Sequence, residues 1–89
     1  MLFMVTYSFR SEHRNAAQAR FKQTGGVPGP GAKMLGRWHQ VSGHGGFVLA
    51  ESNDTIALGK WLQEWTDLLS FDVSPVNNDE DVMKVLGGS

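Results

Sequence analysis

Residues Leu2 to Phe9 put side chains suited to burial on both alternations of an extended strand: Phe3, Val5, Tyr7 and Phe9 on one, and Leu2, Met4 and Thr6 on the other. A strand of that kind must be covered on both faces. The chain has 89 residues, enough for one compact domain over residues 1–86 followed by a flexible Gly87-Gly88-Ser89 tail. A domain of this size buries about 60 to 65% of the surface of its unfolded chain and gains much from a partner subunit. No cysteine is present, which removes disulfide staples and thiolate chemistry.

The rest of the chain supplies few layers with which to cover that strand. Ser11 is the expected N-cap of a first helix that carries Ala17 and Phe21 four residues apart and ends before Gly25. Thr24 to Ala32, with four glycines and two prolines, reads as a connecting loop. Lys33 to Val41 reads as a second strand, with Leu35, Arg37, His39 and Val41 on one face and Met34, Gly36, Trp38 and Gln40 on the other. Residues 42–46 form a hairpin loop into a third strand, Phe47 to Glu51. Asn53 or Asp54 caps a second helix whose apolar positions Leu58, Trp61, Leu62, Trp65, Leu68 and Leu69 recur every three or four residues. Phe71 to Val76 is a fourth strand in which Pro75 calls for an edge position or a strand end. Asp79 to Leu86 adds a last helical turn or two, with acidic residues at its start where the helix dipole favours them.

The order β-α-β-β-α-β is the ferredoxin-like α+β plan, an antiparallel sheet with both helices on one face. Two helices leave the other face of the apolar first strand bare, so its expected cover is the sheet of a second copy in a homodimer.

Arg37-Trp38-His39, Gly46-Phe47 running to Glu51, Trp61 with Trp65, and Pro75-Val76 followed by Asp79-Glu80 form a spaced signature. It resembles a bacterial family known as domain of unknown function thirty-three-oh-three, within the dimeric α+β barrel superfamily. The opening Leu2 to Tyr7, the stretch from Arg14-Asn15 to Phe21, and Thr24-Gly25-Gly26 extend the likeness over almost the whole chain. The resemblance implies a ferredoxin-like fold and a dimer. The wider superfamily holds small cofactor-free monooxygenases, muconolactone isomerases and stress-induced proteins, a hint toward aromatic or lactone-like ligands.

Chemistry concentrates on Arg37, His39 and Glu51. A loop over 42–46 pairs Val41 with Phe47, His39 with Leu49 and Arg37 with Glu51, which puts the three on one face. Arg37 and Glu51 then orient a neutral His39, whose ordinary pKa near 6.5 suits a general base or a ligand anchor. The plainer alternative is a cross-strand Arg–Glu pair that sets register, beside a histidine satisfied by backbone or water. Trp38, Trp61 and Trp65 with Tyr7 suit a flat apolar pocket for an aromatic ligand, or simply core packing. The catalytic candidate is therefore His39, and the ligand-binding candidates are Tyr7, Arg37, Trp38, Glu51, Trp61 and Trp65.

Other classes find less support. His13, His39, His44 and Glu51 lack the spacing of a zinc motif, so no metal is expected. The loop from Gly26 to Lys33 has Ala32 where a phosphate-binding loop needs its Gly-Lys pair, and Pro28 and Pro30 offer no N–H donors. Gly46-Phe47-Val48 matches only part of an RNA-recognition strand, without its basic start and flanking aromatics. Eight basic against nine acidic residues leave no cationic excess for nucleic acid. The charge is nonetheless uneven: residues 1–39 hold six bases and one acid, and residues 40–89 two bases and eight acids, so +5 faces −6. The N-terminus has no basic region and turns polar at Thr6, so a cytoplasmic protein without a membrane partner is expected. No motif asks for a cofactor. Two functions fit: a small-molecule binder or cofactor-free enzyme, and a dimeric interaction or stress-related module without chemistry.

Overall fold

The computed structural model describes residues 1–88. Its elements are β1 (Leu2–Ser8), a 3-10 turn (Ser11–His13), α1 (Arg14–Thr24), β2 (Ala32–His39), β3 (Gly45–Ser52), α2 (Thr55–Gln63), β4 (Ser70–Val76) and α3 (Asp79–Val85). The strands form one antiparallel sheet in the order β2-β3-β1-β4. Each β-α-β unit is thus split by a strand of the other, with β3 between β1 and β2, and β1 between β3 and β4. This is the ferredoxin-like arrangement. Pro75 sits on β4, an edge strand, where a missing N–H costs no ladder bond on the outer side.

Local chemistry sets most element ends. Of the two expected caps of α2, Asp54 acts: its carboxylate accepts from the N–H groups of Ile56 and Ala57. Asn53 instead accepts from the N-terminal ammonium of Met1 at 3.1 Å. The expected Ser11 cap of α1 is not made. Its hydroxyl meets His44 Nε2 at 3.1 Å, and the chain enters α1 through the 3-10 turn. Gly25, at φ 75°, closes α1 with its N–H on the carbonyl of Phe21. Around α3, Asn78 and Asp81 form a reciprocal capping box, while the N–H groups of Gly87 and Gly88 return to the carbonyls of Lys84 and Met83. Ser89, the last residue of the expected tail, lies outside the described residues.

The core lies between the sheet and α2, from Phe3 and Val5 of β1, Val48 and Ala50 of β3, and Leu58 and Trp61 of α2. From α1 only Ala17 is buried, so that helix stands off the sheet and leaves a space beneath it.

The β2–β3 register differs from the sequence expectation and separates Glu51 from Arg37 and His39. Arg37 pairs with Val48, Trp38 with Phe47 and His39 with Gly46, whereas Glu51 lies opposite Lys33. The expected Arg37–Glu51 pair is not formed. The position of the turn causes this. The turn occupies residues 40–44 instead of 42–46, with the Gly43 N–H on the Gln40 carbonyl, so Val41 is fully exposed in the turn. The ladder also slips between Met34 and Gly36, leaving Leu35 as the extra residue of a β-bulge. Past the bulge the alternation inverts, so Met34 packs on the core from the same face that Arg37 and His39 share.

The second face of the sheet carries Trp38, 58% exposed, and Phe47, 42% exposed, beside the partly buried Leu2, Met4, Leu49 and Val76. α3 buries no residue in the chain and leaves Val82, Met83, Val85 and Leu86 open. No described helix is long and apolar enough to cross a membrane.

Candidate functional site

The space beneath α1 is a cavity of about 370 Å³. Ala17, Gln18 and Phe21 of α1 form its roof, Tyr7, Arg37, His39, Val48 and Phe71 of the sheet its floor, and Trp61 and Trp65 one wall. Its size falls in the range of small-molecule sites, and its lining is mostly apolar and aromatic.

Tyr7 on β1 and His39 on β2 flank Gly46 of β3 in the same row of the sheet. A Cβ at Gly46 would run into the Tyr7 ring and the Trp38 carbonyl oxygen. Without one, the phenol leans across the middle strand and its hydroxyl hydrogen-bonds Nδ1 of His39. The imidazole also meets Phe21 of α1 edge-on, with ring centroids 5.3 Å apart. Burial pushes the Tyr7 phenol above its ordinary value, more than the nearby Arg37 cation lowers it, so the phenol keeps its proton. Burial first and the Arg37 charge second pull His39 below its ordinary value, so the imidazole is neutral near neutral pH. The pair has two proton arrangements. With Tyr7 donating to Nδ1, Nε2–H is a hydrogen-bond donor; with Nδ1–H donating to the phenol oxygen, Nε2 is a base.

Among the described residues, Arg37 carries the only charge on the cavity lining. Its Nη1 and Nη2 donate to the carbonyls of Gly26 and Gly25, both at 2.9 Å, and its guanidinium lies 4.6 Å from the Phe21 ring centroid. Those carbonyls follow the last turn of α1, where the helix dipole favours a cation. Arginine fits here because its planar fork reaches two acceptors while it stacks on a ring. The Gly26 carbonyl accepts also from Trp61 Nε1 at 3.2 Å, which joins β2, α2 and the end of α1 at one atom. Burial lowers the Arg37 pKa, although the group stays far from neutral solution's reach.

α1 is tied down a second time from outside. Arg20 donates from both terminal nitrogens to the Asp67 carboxylate at 2.7 Å, reaches the Glu64 carbonyl at 2.9 Å and lies 5.4 Å over the Trp65 ring. The hydrogen bond from Arg20 holds the Asp67 carboxyl below its ordinary range.

Of the residues singled out from the sequence, Tyr7, Arg37, His39, Trp61 and Trp65 therefore meet at one cavity. Trp38 and Glu51 do not: strand alternation puts Trp38 opposite Arg37 and His39, and the β2–β3 register puts Glu51 on that same opposite face, with the Trp38 indole across Gly36 and Glu51 beside Leu2 and Lys33. Phe9, Phe21 and Phe71 line the cavity and were not among the candidates. A signal for them existed, since Phe9 shares the Tyr7 alternation and Phe21 lies one helical turn after Ala17. The histidines are dispersed, with His44 on Ser11 and His39 on Tyr7. Among the described residues no three His, Asp or Glu side chains converge as a metal site.

The family model for the domain of unknown function DUF3303 matches residues 1–89. No curated protein matches the sequence. Among solved structures, the fold is similar to that of Rv0793 from Mycobacterium tuberculosis, with a TM-score of 0.53 and 14% identity over 88% of this chain and 97% of that one. At that identity the likeness concerns the fold alone.

Proposed function

The chain belongs to the DUF3303 family of domains of unknown function, and we propose that it binds a small, largely apolar and aromatic molecule in the cavity beneath α1. The observation that carries this reading is a space of about 370 Å³ walled by Trp61 and Trp65 and left unfilled by the chain's own side chains. Flat indole and phenyl surfaces offer a planar ligand large contact area with directional preferences. The Tyr7–His39 pair supplies a polar anchor, and exposed His39 stands at the rim of the cavity. Native mass spectrometry of protein purified from its own host tests the reading directly. A co-purifying small molecule supports it, and isothermal titration against a panel of naphthalene and lactone probes with no heat of binding sinks it.

Turnover without a cofactor is the second reading, favoured by the neutral imidazole. In the arrangement with Nδ1–H on the Tyr7 oxygen, His39 Nε2 is a base able to take a proton from a bound ligand.

The assembly in this proposal is a homodimer in which the second sheet face, with Trp38 and Phe47 at its centre, packs on its counterpart. Two observations support it. Large exposed apolar side chains cluster on that face, and α3, capped at both ends, has no buried residue. A helix of seven residues is too short to persist on its own in water. Sedimentation equilibrium at micromolar concentration showing only the 9.8 kDa monomer overturns the dimer.

A further inference from the structure

Resting on the reading of the cavity as a ligand site, we infer that its ligand is an anion: an apolar, aromatic body carrying one acidic group, a carboxylate or an ionised phenol or enol, directed at Arg37 and the Tyr7–His39 pair. The argument begins with charge. Arg37 is a partly buried cation, and among the described residues no Asp or Glu lies on the cavity lining. Among the described residues the ion pairs are Arg10 with Glu12 and Arg20 with Asp67, and neither includes Arg37. Its two terminal nitrogens are held by the carbonyls of Gly25 and Gly26, which are dipoles and not a counter-charge. The positive field of Arg37 therefore remains in the cavity and is felt at both Tyr7 and His39.

The same polar end lacks any group that would refuse an anion. His39 is neutral and, with Tyr7 donating to Nδ1, presents Nε2–H as a donor. A cationic ligand would meet Arg37 without a carboxylate to offset the repulsion, and a neutral ligand would leave the cation without a counter-charge. An acid whose anion reaches this end gains the Coulomb attraction of a partly buried cation, so it binds ionised even where it is only partly ionised in solution.

The test compares two probes of one shape, naphthalene-2-carboxylate and naphthalene-2-carboxamide, by isothermal titration at neutral pH. The carboxylate is expected to bind at least about tenfold more tightly, the factor set by a charge-assisted contact. Arg37→Met should erase most of that preference, and Arg37→Lys should retain part of it. Because Arg37 also ties down α1 and its variants risk misfolding, a second measurement uses the unaltered protein: the ionisation midpoint of bound 2-naphthol, read from its fluorescence. It should fall below that of free 2-naphthol. Equal binding of both naphthalene probes, or an unchanged or raised naphthol midpoint, overturns the anionic ligand while the cavity reading stands. Failure of every probe to bind overturns the cavity reading with it.

Discussion

Tyr7 and His39, 32 residues apart in the chain, are hydrogen-bonded to each other across Gly46, the middle residue of their row in the sheet. Neither side chain could reach the other over a larger residue, because a Cβ at position 46 would occupy the space of the Tyr7 ring and press on a backbone carbonyl. The polar end of the cavity thus depends on a residue that contributes no atoms to it.

Gly46→Ala should therefore cost about 1 to 3 kcal/mol by overpacking a site whose neighbour is partly backbone. Urea unfolding gives the stability, and ligand titration on the folded fraction should show weaker binding. A change under a few tenths of a kcal/mol would mean that the strands separate easily at this row.

His39→Ala should behave differently, because the imidazole is exposed at the rim and loses chiefly one hydrogen bond. Stability should fall by about 0.5 to 1.5 kcal/mol, while affinity for cavity ligands drops. If instead binding is untouched and the fold is badly destabilised, His39 serves structure alone.

The pH dependence follows from the lowered His39 pKa. In the unfolded chain the imidazole takes its proton near pH 6.5, and in the folded protein at a lower pH, because burial and Arg37 both oppose the charge. Between those two values the unfolded state holds more protons, so stability is fully present above about pH 6.5 and declines as the pH falls through the folded-state value. Following the His39 ring by NMR should show a midpoint below the ordinary range. Arg37→Met should raise it only part of the way back, since burial remains as the larger cause.

Trp61 and Trp38 should separate core from surface. Trp61 is buried and bonded to the Gly26 carbonyl, and its replacement by alanine should cost about 3 to 5 kcal/mol and enlarge the cavity. Trp38→Asp lies on the opposite face, so ligand binding should persist while sedimentation shifts toward monomer. Loss of ligand binding in Trp38→Asp, with the fold intact, would contradict the placement of the two faces.

The sequence by itself determined the element order, the helix whose apolar stripe builds the core and the family to which the chain belongs. It did so because periodicity, capping residues and turn chemistry are local: the run from Leu58 through Trp61 and Leu62 can bury one face only as a helix, Asp54 can satisfy its first N–H groups, and Pro75 suits an edge. Arg37 and His39 were correctly read as sharing a face, since they are two apart on one strand. Only the tertiary structure decided what lies opposite them. Register between β2 and β3 depends on where the turn closes and on an unpaired residue at Leu35, and neither has a strong local signature, so Glu51 came to the face opposite Arg37 and His39, which Trp38 already occupied by alternation, while Met34 joined their face. Tyr7, Trp61 and Trp65 were legible as a set suited to an apolar pocket, but its roof was not, because the cavity arises from α1 standing away from the sheet, held by Arg37 on Gly25 and Gly26 and by Arg20 on Asp67 across contacts that no spacing within a single element records.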